Sequence, residues 1–291
     1  MTNSSIVRRT DLAPSRAYAV LQETEPSGAG PMATTTVFLT ASECPIGCAM
    51  CDLWQNTLPH PTPRSAIPTQ IDGALEGIPK TPWIKLYNSG NFFDVRSIPL
   101  ADYAAIAECC SDHQRVVVEN HPRIGRSHVA AFQERLNGQL EIAIGLETVQ
   151  PRWLDRMKKQ MSRDDFDAYA SWLRSIDVDV RVFLIVGVPG QSVCESLRWS
   201  ELSVRHAAAC GARHVSLIPA RSGHGWNGTA DQLPKISAHD LAGLQARSID
   251  RLRAQCCVTV DTWDIIENEQ NTESLSAIRI QNVTQEANWD G

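Results

Sequence analysis

A parallel α/β fold built from repeated strand–helix units is what this sequence predicts, on three observations. Short β-branched or apolar runs recur along the chain, and each is followed by apolar residues at helical spacing. Polar and glycine-rich turns fall where those runs end, at the edge where α/β folds collect function. The chain has 291 residues, 43% hydrophobic and 21% charged, ordinary values for a packed protein of one large domain or two small ones. Six strong units and a weaker seventh suit an open sheet or a closed barrel, and periodicity alone does not separate the two.

Residues 1–33 mix Thr, Ser, Pro and Gly with Arg8 and Arg9, and read as an extension with a short helix around Ser15–Leu21. Thr34–Thr40 (TTTVFLT) is the first strand. Pro61, Pro63 and Pro68 stiffen the loop that follows, ahead of a short helix at Thr69–Gly77. Trp83–Tyr87 is the second strand. Pro99 then opens a helix through Cys110, with Leu100, Tyr103, Ala104 and Ala107 at helical spacing. Arg115–Glu119 is the third strand, before a helix near Ser127–Leu136. Leu140–Leu146 is the fourth, before helices near Pro151–Lys159 and Asp164–Ser175. The second of these places Phe166, Tyr169, Ala170 and Leu173 on one stripe. Val180–Val186 is the fifth strand, and Ser192 with Glu195 has capping-box spacing for a helix to about Ala209. His214–Ile218 is the sixth, and Ser237 with Asp240 repeats that spacing before a helix to Arg253. Cys257–Thr262 is the weaker last strand. The expected division is a 1–33 extension, a 34–268 core with a C-terminal β/α addition, and a flexible tail over 269–291.

A net charge of −6 gives no general basic surface for nucleic acid, although a local groove remains open. No apolar run approaches a membrane span, and the first 30 residues lack a signal peptide's apolar core. Of nine cysteines, Cys109, Cys110, Cys194, Cys210, Cys256 and Cys257 read as small hydrophobes. Free thiols suit a reducing cytoplasm.

The chemistry concentrates in TASECPIGCAMCDLWQN, where Cys44, Cys48 and Cys51 form C-x3-C-x2-C just after the first strand. Three thiolates on one short loop can hold three irons of a cubane iron–sulfur cluster. No fourth cysteine sits nearby, so the fourth iron would face a substrate or cofactor. Zinc is the rival, since thiolates suit it too, but His60 is poorly spaced for a zinc knuckle.

This array, after an early strand and with an aromatic-rich flank, resembles the signature of the radical S-adenosylmethionine (SAM) superfamily. Met50 stands where the familiar form has an aromatic residue. The resemblance implies a partial TIM-like (β/α)6 radical SAM barrel with short terminal extensions. It also implies a [4Fe–4S] cluster on Cys44, Cys48 and Cys51, with S-adenosyl-L-methionine chelating the fourth iron. One electron, from a reductant such as flavodoxin or ferredoxin, then yields methionine and a 5′-deoxyadenosyl radical that abstracts hydrogen.

Carried over residue by residue, Asn88, Ser89, Gly90 and Asn91 occupy the place of the glycine-rich motif that receives the SAM amino group, with Asp94 the nearest acid. Glu147, in IGLET, resembles an acid near the SAM ribose or amino group; the rival is a surface acid or a partner for Arg181. Glu141 reads as solvent-facing, and Arg181 as too far from the strand exits for catalysis. Val186 and Gly187, followed by Val188, resemble the turn that packs on adenine, while Glu195 reads as a helix cap. Ile218 belongs to the segment resembling the adenine-edge contact. Arg221 meets a SAM carboxylate or forms a salt bridge.

Over Phe38–Ile218, the stretches YNSGNFFD, VVENHPR, IGLET and IVGVPG resemble an elongator-like branch of the superfamily. That branch includes the radical SAM subunit of archaeosine synthase, which cleaves a carbon–nitrogen bond in a deazaguanine of transfer RNA. Such relatives have Glu-Ser-Arg-Pro where this chain has Glu119-Asn120-His121-Pro122, with Arg123 next. Glu119 and His121 are candidate catalytic groups, His121 as a proton carrier near neutral pH, or the stretch simply makes a turn. Tyr87 is a candidate hydrogen donor or a packing residue. His224, Trp226 and Trp54 are candidates for holding a planar ligand; for Trp226 the rival is burial under a capping loop. The reading favours a small or nucleoside-like substrate and an oxidoreductase, lyase or transferase reaction. The alternatives are transfer-RNA modification and a zinc-stabilised binding protein.

Overall fold

The computed structural model describes residues 11–221, 223, 225–253, 255–287 and 289. The chain enters through β1 (Ala19–Glu25) and β2 (Met32–Phe38). Alternation follows with α1 (Ala66–Leu75), β3 (Trp83–Tyr87), α2 (Tyr103–Cys109), β4 (Arg115–Glu119) and α3 (Arg126–Gln133). It continues with β5 (Gln139–Glu147), α4 (Pro151–Arg156), α5 (Arg163–Ser175), β6 (Asp179–Val186), α6 (Val193–Ala209) and β7 (His214–Pro219). The last elements are α7 (Ala238–Leu252), β8 (Cys257–Val260) and α8 (Thr272–Thr284). Strand order is chain order, β1 to β8. The β2–β3, β3–β4, β5–β6, β6–β7 and β7–β8 pairs are parallel, as helical crossovers require. The α/β class expected from the alternation is the class observed.

Two compact units are distinguished. The first holds Met1–Glu23, Ala33–Pro45 and Cys51–Leu140, and the second Thr24–Met32, Ile46–Met50 and Glu141–Gly291.

In the first unit, Thr34–Val37, Trp83–Leu86 and Val116–Val118 are all buried. Strands covered on both faces favour such largely apolar or β-branched runs, and the one charge among them, Lys85, is paired with Glu23. Beyond β3 the rings of Phe92, Phe93, Tyr103 and Phe132 pack with centroids between 4.8 and 6.4 Å. Each buried phenylalanine contributes roughly 2–3 kcal/mol, so the turn after β3 is fixed from behind. Gly125, with φ +57°, lets the chain pass this cluster: a Cβ there would lie 2.0 Å from the Phe93 carbonyl oxygen.

In the second unit, Arg181 near the start of β6 is 1% exposed and bonds Glu25 at 2.6 and 2.8 Å and Glu141 at 3.0 Å. Glu141 also receives Arg213 at 2.7 Å. Buried charge persists only when paired and hydrogen-bonded. The solvent-facing reading of Glu141 is therefore corrected: it is fully buried, because two guanidinium groups need its oxygens. At β8, two side-chain amides, one in α8 and one at its C-cap, replace a neighbouring strand. Asn282 pairs with the Val260 N–H and C=O at 2.8 and 2.9 Å, and Gln285 with those of Val258 at 2.6 and 3.0 Å.

Three expectations are corrected. Ser15–Leu21 is not helical; β1 occupies part of it, because Gln22 reaches Thr35 and Pro79 while Glu23 holds Thr36 and Lys85. The 1–33 extension thus contributes β1 and the start of β2 to the fold. The stretch 269–291, expected as a flexible tail, contains α8, which buries Leu275, Ile278 and Gln281. Its apolar stripe is short, which hid the helix in a polar sequence. Among the described residues no helix is long and apolar enough to cross a membrane.

Candidate functional site

The first unit brings Cys44 to the exits of β3 and β4. Asn91 donates from Nδ2 to Cys44 Sγ at 3.1 Å, and its Oδ1 accepts the His121 N–H at 2.7 Å. One amide thus ties a cysteine of the array to both exits. Gly90 lies beside the same cysteine, where a Cβ would be 3.5 Å from Cys44 Cβ. Asn88 is buried and donates to Ser97 Oγ at 2.9 Å, while its Oδ1 has no hydrogen-bond partner among the described residues. Ser89 has φ +53° and a hydroxyl engaged with Tyr18 at 3.0 Å.

The β4 exit is a constructed turn. Glu119 accepts the Phe92 N–H through its backbone oxygen at 2.8 Å. Asn120 accepts the Phe93 N–H at 3.3 Å and donates to the Ile124 carbonyl at 2.8 Å. His121 is buried, and its Nδ1 accepts the Arg123 N–H at 3.2 Å. That bond assigns the ring proton of a neutral His121 to Nε2. Arg123 itself is exposed. The Tyr87 ring packs on Phe38 at 6.2 Å and beside Lys85 Nζ at 5.5 Å. Asp94 holds the Arg96 N–H at 2.9 Å, a local turn contact.

The Ile46–Met50 segment, which carries Cys48, is anchored within the second unit. Ala49 N–H donates to the Met157 carbonyl at 2.9 Å, and Gln160 Nε2 to the Ile46 carbonyl at 2.8 Å. At the end of β5, Glu147 adopts φ +64° and pairs with Lys159 at 2.6 Å. Lys159, not Arg181, is its partner, and both groups are largely buried. Gly145 makes room for the pair, since a Cβ there would lie 2.3 Å from Glu147 Oε1 and 2.6 Å from Lys159 Nζ.

At the β6 exit Val186 is fully buried, and Gly187 has φ +88° with Pro234 and Ile236 against it. Val188 packs with Trp153, Leu154, Met157 and Trp226. Trp226 is 5% exposed and donates to the Arg221 carbonyl at 2.5 Å, so it is core and not a ligand platform. Ile218 is partly exposed, and Trp54 is half-buried. Arg221 forms ion pairs with Asp261 at 2.9 Å and Asp264 at 2.7 Å. Glu195 is the expected cap of α6, in a capping box with Ser192. His224 lies outside the described residues.

Sequence reasoning missed Lys159 and the Asn91–Cys44 bond. Lys159 lies beyond the helix that follows Glu147, and no residue pattern links an amide to a thiol 47 positions away. Cys44, Cys48 and Cys51 are each neither fully buried nor fully exposed. Cys44 Sγ receives the Asn91 N–H, a bond that cluster sulfurs commonly accept.

Neither a protein-family model nor a curated protein sequence matches the chain. Solved structures do. Methylornithine synthase (PylB) superposes with a TM-score of 0.56 at 12% identity, covering 86% of this chain and 82% of that one. SuiB of Streptococcus suis, bound to S-adenosylmethionine, gives 0.54 at 11% identity over 80% of this chain. In both cases the likeness is one of fold. This chain spans 53% of SuiB's length. At such identities the likeness concerns the path of the backbone, the partial TIM-like α/β fold, and not the chemistry at any side chain.

Proposed function

We propose that this chain is a radical SAM enzyme whose Cys44, Cys48 and Cys51 hold a [4Fe–4S] cluster that binds S-adenosyl-L-methionine. The observation that carries the reading is the Asn91–Cys44 bond, at a cysteine loop following β2 in a radical SAM fold. When bound, cluster and SAM supply a 5′-deoxyadenosyl radical after one-electron reduction by a flavodoxin- or ferredoxin-like donor. Asn91 stabilises the Cys44 thiolate. The Asn88–Asn91 turn offers backbone oxygens to the SAM ammonium, and Glu147, steadied by Lys159, offers a carboxylate to the ammonium or ribose. Val186, Gly187 and Ile218 receive adenine. Arg221 serves the carboxylate by exchanging one of its acidic partners.

For the substrate, Glu119 and His121 at the β4 exit are the proposed groups, His121 donating from Nε2. Tyr87 remains a candidate hydrogen donor, although its ring now serves packing. We favour a small or nucleoside-like substrate and leave oxidoreductase, lyase and transferase outcomes to experiment. A second reading, transfer-RNA deazaguanine modification of the elongator-like kind, is favoured by the YNSGNFFD and IGLET stretches. The proposed setting is the reducing cytoplasm, which suits reduced thiols and a labile cluster.

The test is anaerobic reconstitution. About four irons and four sulfides per chain are expected, with 5′-deoxyadenosine formed on adding SAM and dithionite. Alanine at any one of the three cysteines should greatly reduce bound iron. Stoichiometric zinc in place of iron after anaerobic purification would instead support a zinc-stabilised binding protein. Transfer of deuterium into 5′-deoxyadenosine from labelled nucleosides or from labelled transfer RNA separates the substrate readings.

A further inference from the structure

We propose that Asp167 of α5 with His206 and Cys210, at the end of α6, forms a second metal site, built for a zinc-like divalent cation and independent of the cysteine loop. His206 and Cys210 are four residues apart and so share one face at the end of α6, turned toward Asp167. Three ligand atoms converge there. His206 Nε2 lies 2.6 Å from Asp167 Oδ1, Cys210 Sγ lies 3.4 Å from the same oxygen, and Sγ lies 3.6 Å from the same nitrogen.

Tetrahedral zinc has bonds of about 2.3 Å to sulfur and about 2.0 Å to nitrogen or oxygen. Those lengths place sulfur about 3.5 Å from either lighter ligand, and nitrogen about 3.3 Å from oxygen. Both sulfur separations already match. Only the nitrogen–oxygen pair, drawn together here as a hydrogen bond, must open. A mixed thiolate, imidazole and carboxylate set selects borderline metals over calcium or magnesium. All three side chains are partly exposed, which leaves a side for water as fourth ligand.

A nucleophilic Cys–His–Asp relay is the competing reading of these residues, and the geometry disfavours it. A relay uses one imidazole nitrogen for the acid and the other for the nucleophile, whereas Nε2 serves both here. Arg163 and Arg174 act electrostatically on the Cys210 thiol and oppose a cation, so the expected affinity is below that of a closed structural zinc site.

The experiment is cobalt(II) titration of the full chain, followed by thiolate-to-cobalt charge-transfer absorption and by displacement with zinc. The expected result is one such site per chain in a C44A/C48A/C51A variant, lost when Cys210→Ala is added to it. Asp167→Asn, which keeps the side-chain shape, and His206→Gln should each weaken binding at least tenfold. Zinc should raise the melting temperature of the C44A/C48A/C51A variant, and Asp167→Asn added to that background should abolish the rise while leaving the metal-free melt near its parent's. Absorption lost in C44A/C48A/C51A, absorption unchanged when Cys210→Ala is added to that variant, or binding only above millimolar cobalt would each overturn the proposal.

Discussion

Asn91 spends both ends of its amide on the candidate site, one on Cys44 Sγ and the other on the His121 backbone. A hydrogen bond to a cluster sulfur stabilises the more negative, reduced state, so cluster potentials rise with such bonds. Asn91→Ala should therefore still bind iron but with a more negative reduction potential, read by an EPR-monitored redox titration. An unshifted potential would remove Asn91 from that role. Glu147 and Lys159 are a different case, because each is largely buried against the other. Removing one partner of a buried pair strands the other charge and costs about 3–5 kcal/mol. Lys159→Met should destabilise the protein on that scale in urea unfolding, and adding Glu147→Gln should restore much of the loss. A cycle without coupling would mean that solvent screens the pair.

Elements depend on contacts that local sequence does not announce. The α5, α6 and α7 starts all carry capping boxes, with Ser162, Ser192 and Ser237 bonded to the third residue onward. Two of these were legible from Ser–Glu and Ser–Asp spacing alone, since a box is a local device. The edge of β8 is the opposite case. Unpaired edge groups invite association with other chains, and here Asn282 of α8 and its C-cap Gln285 satisfy Val260 and Val258. An Asn282→Ala, Gln285→Ala double variant should lose about 1–3 kcal/mol and exchange the Val258 and Val260 amide hydrogens faster. Unchanged protection of those amides would show that the side chains are dispensable to the edge.

At the scale of the whole molecule, buried titratable groups set the pH range of stability. His214 is held well below its ordinary value of 6.5, first by burial and then by the neighbouring Arg181. His113 is lowered too, chiefly by burial. Below about pH 6.5 the unfolded chain takes up protons that the folded chain refuses, so stability falls with pH from there toward the folded pKa values and then levels. The urea midpoint should drop between about pH 7.5 and about pH 5, and His214→Gln should blunt the drop. An equal drop in that variant would assign the effect elsewhere.

The order of strands and helices was legible because burial of parallel strands writes itself as β-branched runs, and helical faces as spaced apolar residues. Trp83–Tyr87 and Arg115–Glu119 appear where they were expected to the residue. The strand β1 and the helix α8 were not legible, since Gln22, Glu23 and Asn282 take their conformations from partners distant in sequence. The same boundary runs through the candidate site. By itself the sequence determined the alternating α/β architecture and the Cys44–Cys48–Cys51 array, both consequences of short-range periodicity and spacing. Only the tertiary structure decided that Glu147 faces Lys159, that Glu141 is buried between Arg181 and Arg213, that Trp226 is core, and that Asp167, His206 and Cys210 meet. Desolvation and charge pairing are properties of neighbours in space, and the chain brings those neighbours together only when it folds.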